Sequence, residues 1–178
     1  MIPSPVSEKE LINSPICVLA IDPGQSGAVF KIGRGKFDGR RDFKNLRDIA
    51  HAVRDLSLGV DCAVIEGVAA RPGQGVTSMF SFGRSTGTAF GALCVCLPEA
   101  CPIFEVWPQR WQGFFRSLLG MAKTDPFESR IVSARMFPEH APCWTLRKLD
   151  HGSGDSILLA SYILLQHDGL ASLDSFLS

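Results

Sequence analysis

The chain has 178 residues, 46% of them hydrophobic, and its 18 basic side chains balance 18 acidic ones. That composition excludes a disordered chain, and no apolar run reaches the roughly 18 residues a membrane helix needs. The length suits one domain with its own core, and zero net charge leaves any nucleic-acid binding to local patches.

Residues 1–14 read as a polar lead-in, without the basic-then-apolar order of a secretory signal, so the expected domain is 15–178. Strands are predicted at 16–22, 28–33 and 36–43, the last two forming a hairpin around Gly33-Arg-Gly35. Asn45 to Leu58 reads as an amphipathic helix with Leu46, Ile49, Ala50, Val53 and Leu56 on one face, ended by Gly59. A strand at 61–67, a loop at 69–75 and a long helix at 76–97 follow. Then come a strand at 103–106 and helices at 107–118, 124–137 and 154–167. A three-stranded meander followed by alternating helices and strands implies an α/β fold, a five-stranded mixed sheet with helices on its faces. That is the element order of the ribonuclease H-like fold.

Three acids sit at the tips of apolar elements. Val18-Leu-Ala-Ile runs straight into Asp22 before a Pro-Gly turn, and Cys62-Ala-Val-Ile ends in Glu66. Asp155 opens the apolar stretch that reaches Leu165. A carboxylate at the end of a buried strand must be hydrogen-bonded, paired or bound to a metal. Asp22 alone could be an Asx-turn residue and Asp155 alone a helix cap, but Glu66 has no turn role. His151 lies four residues before Asp155, where a helical turn places both on one face, and Asp150 is adjacent. Asp22, Glu66, Asp155 and His151 together form an oxygen-rich set suited to Mg²⁺ or Mn²⁺. Two such ions, roughly 3.5–4 Å apart, clamp the attacking and leaving oxygens of a phosphodiester.

Six cysteines lack the spacing of a zinc site and read as ordinary thiols in a reducing compartment. Seven Lys/Arg crowd 31–47 and five crowd 110–135, patches that could hold phosphates or simply face solvent. Trp107 and Trp111, four apart, read as core. Lys123, just before the expected helix start Thr124-Asp-Pro-Phe-Glu128, is a plausible phosphate clamp. Gly83, Gly87 and Gly91 form a flat ridge on the long helix, suited to close approach of another backbone or of the chain's own sheet.

Four motifs in order, Ile21-Asp-Pro-Gly-Gln-Ser-Gly27, Ile65-Glu-Gly-Val68, Phe82-Gly-Arg-Ser-Thr-Gly87 and Asp150-His-Gly-Ser-Gly-Asp-Ser156, resemble the RuvC-type Holliday-junction resolvases, their phage branch included. The resemblance spans about 15–165. It implies a homodimeric, divalent-metal endonuclease that makes two symmetric nicks in a four-way DNA junction, with Asp22, Glu66 and Asp155 as metal-binding acids. It places Arg71, Gln74, Thr77, Ser78, Met79 and Phe80 toward the junction centre, with Arg84 of the third motif, Lys123, Arg147 and Lys148 as further DNA contacts. It sets the long helix near the dimer interface. It also implies action in the cytoplasm of a bacterial or phage-infected cell, or in an organelle, with no membrane association and no nucleotide cofactor. One departure stands out: many members carry an Asp three residues before the last acid, where this chain has Gly152. His151, or else Asp150, then fills that role. The competing readings are a nuclease for flaps or other branched DNA, a non-catalytic junction binder, and an actin-like nucleotide-binding domain, for which the chain is short.

Overall fold

Every residue of strand β1 (Cys17–Asp22) is buried, so the sheet is covered on both faces. The computed structural model describes residues 8–24, 27–67, 73, 75–143 and 151–169; the side chains at 38–40, 143, 151 and 167–169 are not among those described. Around β1 lie β2 (Ala28–Gly33), β3 (Lys36–Asp42), β4 (Cys62–Glu66) and β5 (Ile103–Val106), in the order β3-β2-β1-β4-β5. The first three strands are antiparallel, whereas β4 runs parallel to both β1 and β5. This is the five-stranded mixed sheet that the element order implied.

Strand alternation sorts the two faces. Val18, Ala20, Cys62, Val64, Phe104 and Val106 share one core with Trp111, Phe115, Val132 and the apolar run Ile157–Leu164. Those partners come from α4 (Pro108–Leu118), α5 (Ser129–Met136) and α6 (His151–Gly169). Leu19, Ile21, Ala63 and Ile65 point the other way, into a core shared with α2 (Leu46–Leu56) and α3 (Val76–Cys96). Helix α2 is capped by Asn45, whose side chain accepts from the Arg47 and Asp48 backbone N–H groups, and Ile49, Ala52, Val53 and Leu56 are buried. The β2–β3 turn runs through Gly33, Arg34 and Gly35 at φ 127°, 53° and 74°. A Cβ at Gly33 would stand 1.9 Å from the Ile16 carbonyl oxygen, so glycine is required there.

The larger departures from the sequence reading are a new first helix and the starts of α5 and α6. A short helix, α1 (Glu8–Ile12), lies within the expected lead-in. Leu11 enters the core, and the Glu8 carboxylate accepts from the Glu139 N–H and pairs with His140. Helix α5 starts at Ser129 rather than 124. The Asp125 carboxylate accepts from the Ala122 N–H, and Arg116 donates to the carbonyls of Ala122 and Asp125. These bonds satisfy the segment as a turn, so it has no need of helical partners. Helix α6 starts three residues early, at His151, despite Gly152 and Gly154 in its first turn. A Cβ on Gly154 would sit 2.7 Å from the Arg130 backbone N, so the close α5–α6 contact outweighs glycine's poor helix propensity. Among the described residues no helix is long and apolar enough to cross a membrane.

Candidate metal centre

The period of two that sorts the core also aims the acids. Asp22 follows Val18 and Ala20, and Glu66 follows Cys62 and Val64, so both point to the face covered by α6. β1 and β4 are parallel and in register up to Ile21 and Ile65, so the two acids end adjacent strands side by side. Asp155 stands in the second turn of α6, across from them. Asp22, Gly24 and Gly27 lie close together: the Gly24 N–H donates to Asp22 Oδ1 at 2.9 Å, and a Cβ at Gly27 would fall 2.0 Å from the Asp22 carbonyl oxygen. Asp22 is thus both an Asx-turn residue and an acid facing two others.

The electrostatics show that the three acids converge. Asp22 is buried, and its carboxyl is held well above the ordinary carboxylate value, first by loss of water, then by Asp155 and Glu66, against the opposing Gly24 N–H. The sign of the linkage follows. An acid whose folded pKa is raised favours folding at low pH, and that advantage is lost as pH rises through the raised value. In metal-free protein, Asp22→Asn therefore raises the thermal midpoint at neutral pH, by roughly 2–4 °C for each kcal/mol relieved, and flattens the pH dependence above the ordinary carboxylate range. Thermal melts of both proteins across that range in a chelator check this; a lower midpoint for Asp22→Asn at neutral pH contradicts it.

A divalent cation fits this donor set. Asp22 is buried and raised by the charges of Asp155 and Glu66, and carboxylate oxygens are ligands that Mg²⁺ and Mn²⁺ favour. Among the described residues, no three His, Cys, Asp or Glu side chains stand ready to hold an ion, so the acids share a field without forming a closed cage. His151 begins α6 one helical turn before Asp155, the i, i+4 relation its role requires. Its side chain, like Asp150, lies outside what is described.

The expected DNA contacts are dispersed. Arg71, Gln74, Arg147 and Lys148 lie outside the described residues. Thr77, Ser78 and Phe80 are exposed at the start of α3, Met79 is half-buried, and Arg84 stacks over the Phe80 ring. Phe80 is 68% exposed and so does not belong to the core. Arg84 also lines, with Lys44 and Asn45, a cleft that begins at Gly24 of the Asp22 turn. Lys123 is exposed but sits on the 122–125 turn, not beside a helix N-terminus, because α5 begins later than its sequence signals suggest. Part of each basic patch is structural: Lys31 donates to the Leu58 carbonyl, Arg34 pairs with Asp61, and Arg116 holds the 122–125 turn.

A structure of Thermus thermophilus RuvC matches 86% of this chain and 97% of its own, at 13% identity and a TM-score of 0.58. The chain has the fold of the RuvC-type resolvases. Thermus thermophilus RuvC in complex with a Holliday junction substrate matches at 11% identity, with 86% and 96% coverage and a TM-score of 0.53. The yeast mitochondrial Holliday junction resolvase Ydc2 matches at 14% identity, with 95% and 88% coverage and a TM-score of 0.56. No protein-family model matches the chain, and no curated protein matches it in sequence.

Two contacts at the centre were not legible in the sequence. The Trp111 indole N–H donates to Glu66 Oε1 at 3.2 Å, from a ring that is fully buried. Trp111 is core as expected, yet its polar edge touches a candidate metal-binding acid; nothing in the residue spacing links α4 to β4. On the other side, the Ser153 hydroxyl reaches Asp42 at the end of β3, tying the first turn of α6 to the sheet. Among the described residues the cysteines have no part in the centre. Cys17, Cys62, Cys94, Cys96 and Cys101 form no disulfide, Cys17 and Cys62 are buried, and burial, then Cys101, push the Cys62 thiol up to about 12.

Proposed function

We propose that this chain is a divalent-metal endonuclease that resolves four-way DNA junctions by paired symmetric nicks, acting as a homodimer in the cytoplasm of a bacterial or phage-infected cell. The observation that carries the reading is the convergence of Asp22, Glu66 and Asp155 at one end of a sheet with the RuvC-type fold. One solved structure of that fold is described in complex with a Holliday junction substrate. Asp22, Glu66 and Asp155, with His151, would hold two Mg²⁺ or Mn²⁺ ions. When bound, such a pair supplies charge stabilisation for the attacking and leaving oxygens of a phosphodiester. The chain's own part is to hold the acids on two strand ends and a helix, and to bring phosphates near them with Arg84, Lys123, Arg71, Arg147 and Lys148. Gln74, Thr77, Ser78, Met79 and Phe80 would meet the junction centre, where an exposed aromatic can hold unstacked bases apart.

Support for the dimer comes from α3. Val76, Phe80, Gly83, Gly87, Phe90, Gly91 and Cys94 fall within about 100° of the helix circumference, opposite the buried Ala89 and Leu93. Val76, Phe80 and Phe90 are 78%, 68% and 46% exposed, and a Cβ on any of the three glycines meets nothing within 4 Å. The ridge therefore does not serve packing on the chain's own sheet.

The test compares a four-way junction, a flap, a linear duplex and an RNA–DNA hybrid under the same Mg²⁺ or Mn²⁺ conditions. Cutting of the junction in preference to the others supports the reading. Preferred cutting of the flap moves the substrate, and binding without cutting makes the chain a junction binder, an outcome to which Gly152 gives a specific motive. If His151 completes the centre, His151→Ala lowers cleavage by about tenfold or more with little change in folding. His151→Asp then restores part of it in Mg²⁺, for which a carboxylate is the harder ligand, and the native chain prefers Mn²⁺. Loss of activity in Asp150→Asn but not in His151→Ala reassigns the ligand.

A further inference from the structure

We infer that Trp111 is the positioning residue for Glu66, its indole N–H holding the carboxylate in the orientation that receives the metal. The inference rests on the metal centre proposed above and adds a residue that contacts no substrate. The ring is fixed before the acid is considered. Trp111 is fully buried in the core between the sheet and α4, with Phe127 edge-on to it at 5.7 Å. A buried indole N–H is a donor only and needs an acceptor; the acceptor here is Glu66 Oε1, 45 residues away in sequence. Glu66 also faces Asp22, whose carboxyl it helps to push up. One oxygen of Glu66 is thus tethered from the helix side of the site, while the carboxylate as a whole presents its charge to the other acids.

The choice of donor matters. A lysine or arginine at this place would neutralise Glu66 and repel a divalent ion, and a hydroxyl would rotate. An indole is neutral, does not titrate and cannot rotate its N–H away from the ring plane. It orders a ligand without weakening the negative field that draws the metal, the usual work of groups that hydrogen-bond metal ligands.

The decisive variant replaces Trp111 alone, in the full chain, by its sulfur isostere 3-benzothienylalanine, which keeps the ring's shape and loses only the N–H. Mn²⁺ binding is measured by calorimetry, and cleavage is followed against Mn²⁺ concentration. The expected result is Mn²⁺ binding weaker by roughly tenfold, an unchanged melting temperature without metal, and cleavage recovering toward the native rate at saturating Mn²⁺. Trp111→Phe should show the same loss of Mn²⁺ affinity together with a lower melting temperature. Phe115→Leu, a core change on the same helix, should lower stability and leave Mn²⁺ affinity alone. Native-like Mn²⁺ binding by the isostere, within about twofold, overturns the inference while leaving the metal centre standing. If the native chain shows no Mn²⁺ binding that Asp22→Asn removes, both the centre and this inference fall.

Discussion

Asp22→Asn is expected to reduce junction cleavage by roughly a thousandfold or more, equivalent to about 4 kcal/mol of transition-state stabilisation, while junction binding persists. Asparagine keeps the shape of the β1 end and can still accept the Gly24 N–H, so the Asx turn at Asp22 is retained. What it loses is the charge shared with Glu66 and Asp155. Binding is expected to survive because the phosphate contacts proposed for this chain come from other elements, among them Arg84 on α3 and Lys123 on the 122–125 turn. A gel-shift assay beside a cleavage assay on one labelled junction separates the two. The same substitution that ends cleavage should stabilise the metal-free fold, a pairing that a merely damaged protein would not show. Near-native cutting by the purified variant removes Asp22 from the metal-binding set.

The second large effect concerns assembly. Gly87→Leu is expected to convert a dimer to a folded monomer. Among the described residues a Cβ at this position meets nothing within 4 Å, so the side chain has room, and an exposed helix gains up to about 1 kcal/mol when glycine is replaced by a better helix former. The monomer should therefore melt no lower than the native chain, yet the new branched side chain stands where a second backbone would approach. Light scattering of native and variant proteins, free and on junction DNA, reads the outcome. A variant that remains dimeric places the interface elsewhere, and a native chain that is monomeric in both conditions contradicts the homodimer.

The sheet was legible because its strands are short apolar runs bounded by Gly, Pro and acid. Strands β2 and β5 begin and end where the sequence places them, at Ala28–Gly33 and Ile103–Val106. The pairing of Asp22 with Glu66 was legible as well, since equal strand ends in a parallel pair put them side by side. What escaped were features set by distant contacts. Helix α1 could not be read from five mostly polar residues, because Leu11 and the Glu8–His140 pair act through a segment about 130 positions away. The false start of α5 came from proper cap signals at Thr124 and Pro126 that Asp125 and Arg116 diverted into a turn. The early start of α6 depends on a distant contact, the close approach of Gly154 to the backbone of Arg130. Trp111 gave away its burial and not its partner, since composition marks a ring as core while only the fold tells which acceptor its N–H meets. The exposed face of α3 was half legible: the glycine spacing is visible in sequence, but which way it faces depends on Ala89 and Leu93 docking on the sheet side.

The central claim is that two copies of this centre cut one branched substrate. It is tested most directly by mapping the nicks in a single four-way junction, labelled on all four strands in turn, in Mg²⁺ or Mn²⁺. The expected result is two nicks per junction, on opposite strands and at positions related by the junction's two-fold axis, absent with a chelator and absent for Asp22→Asn. Isolated nicks on unrelated strands, equal cutting of the linear duplex arms on their own, or an intact junction with every divalent ion tried would contradict it.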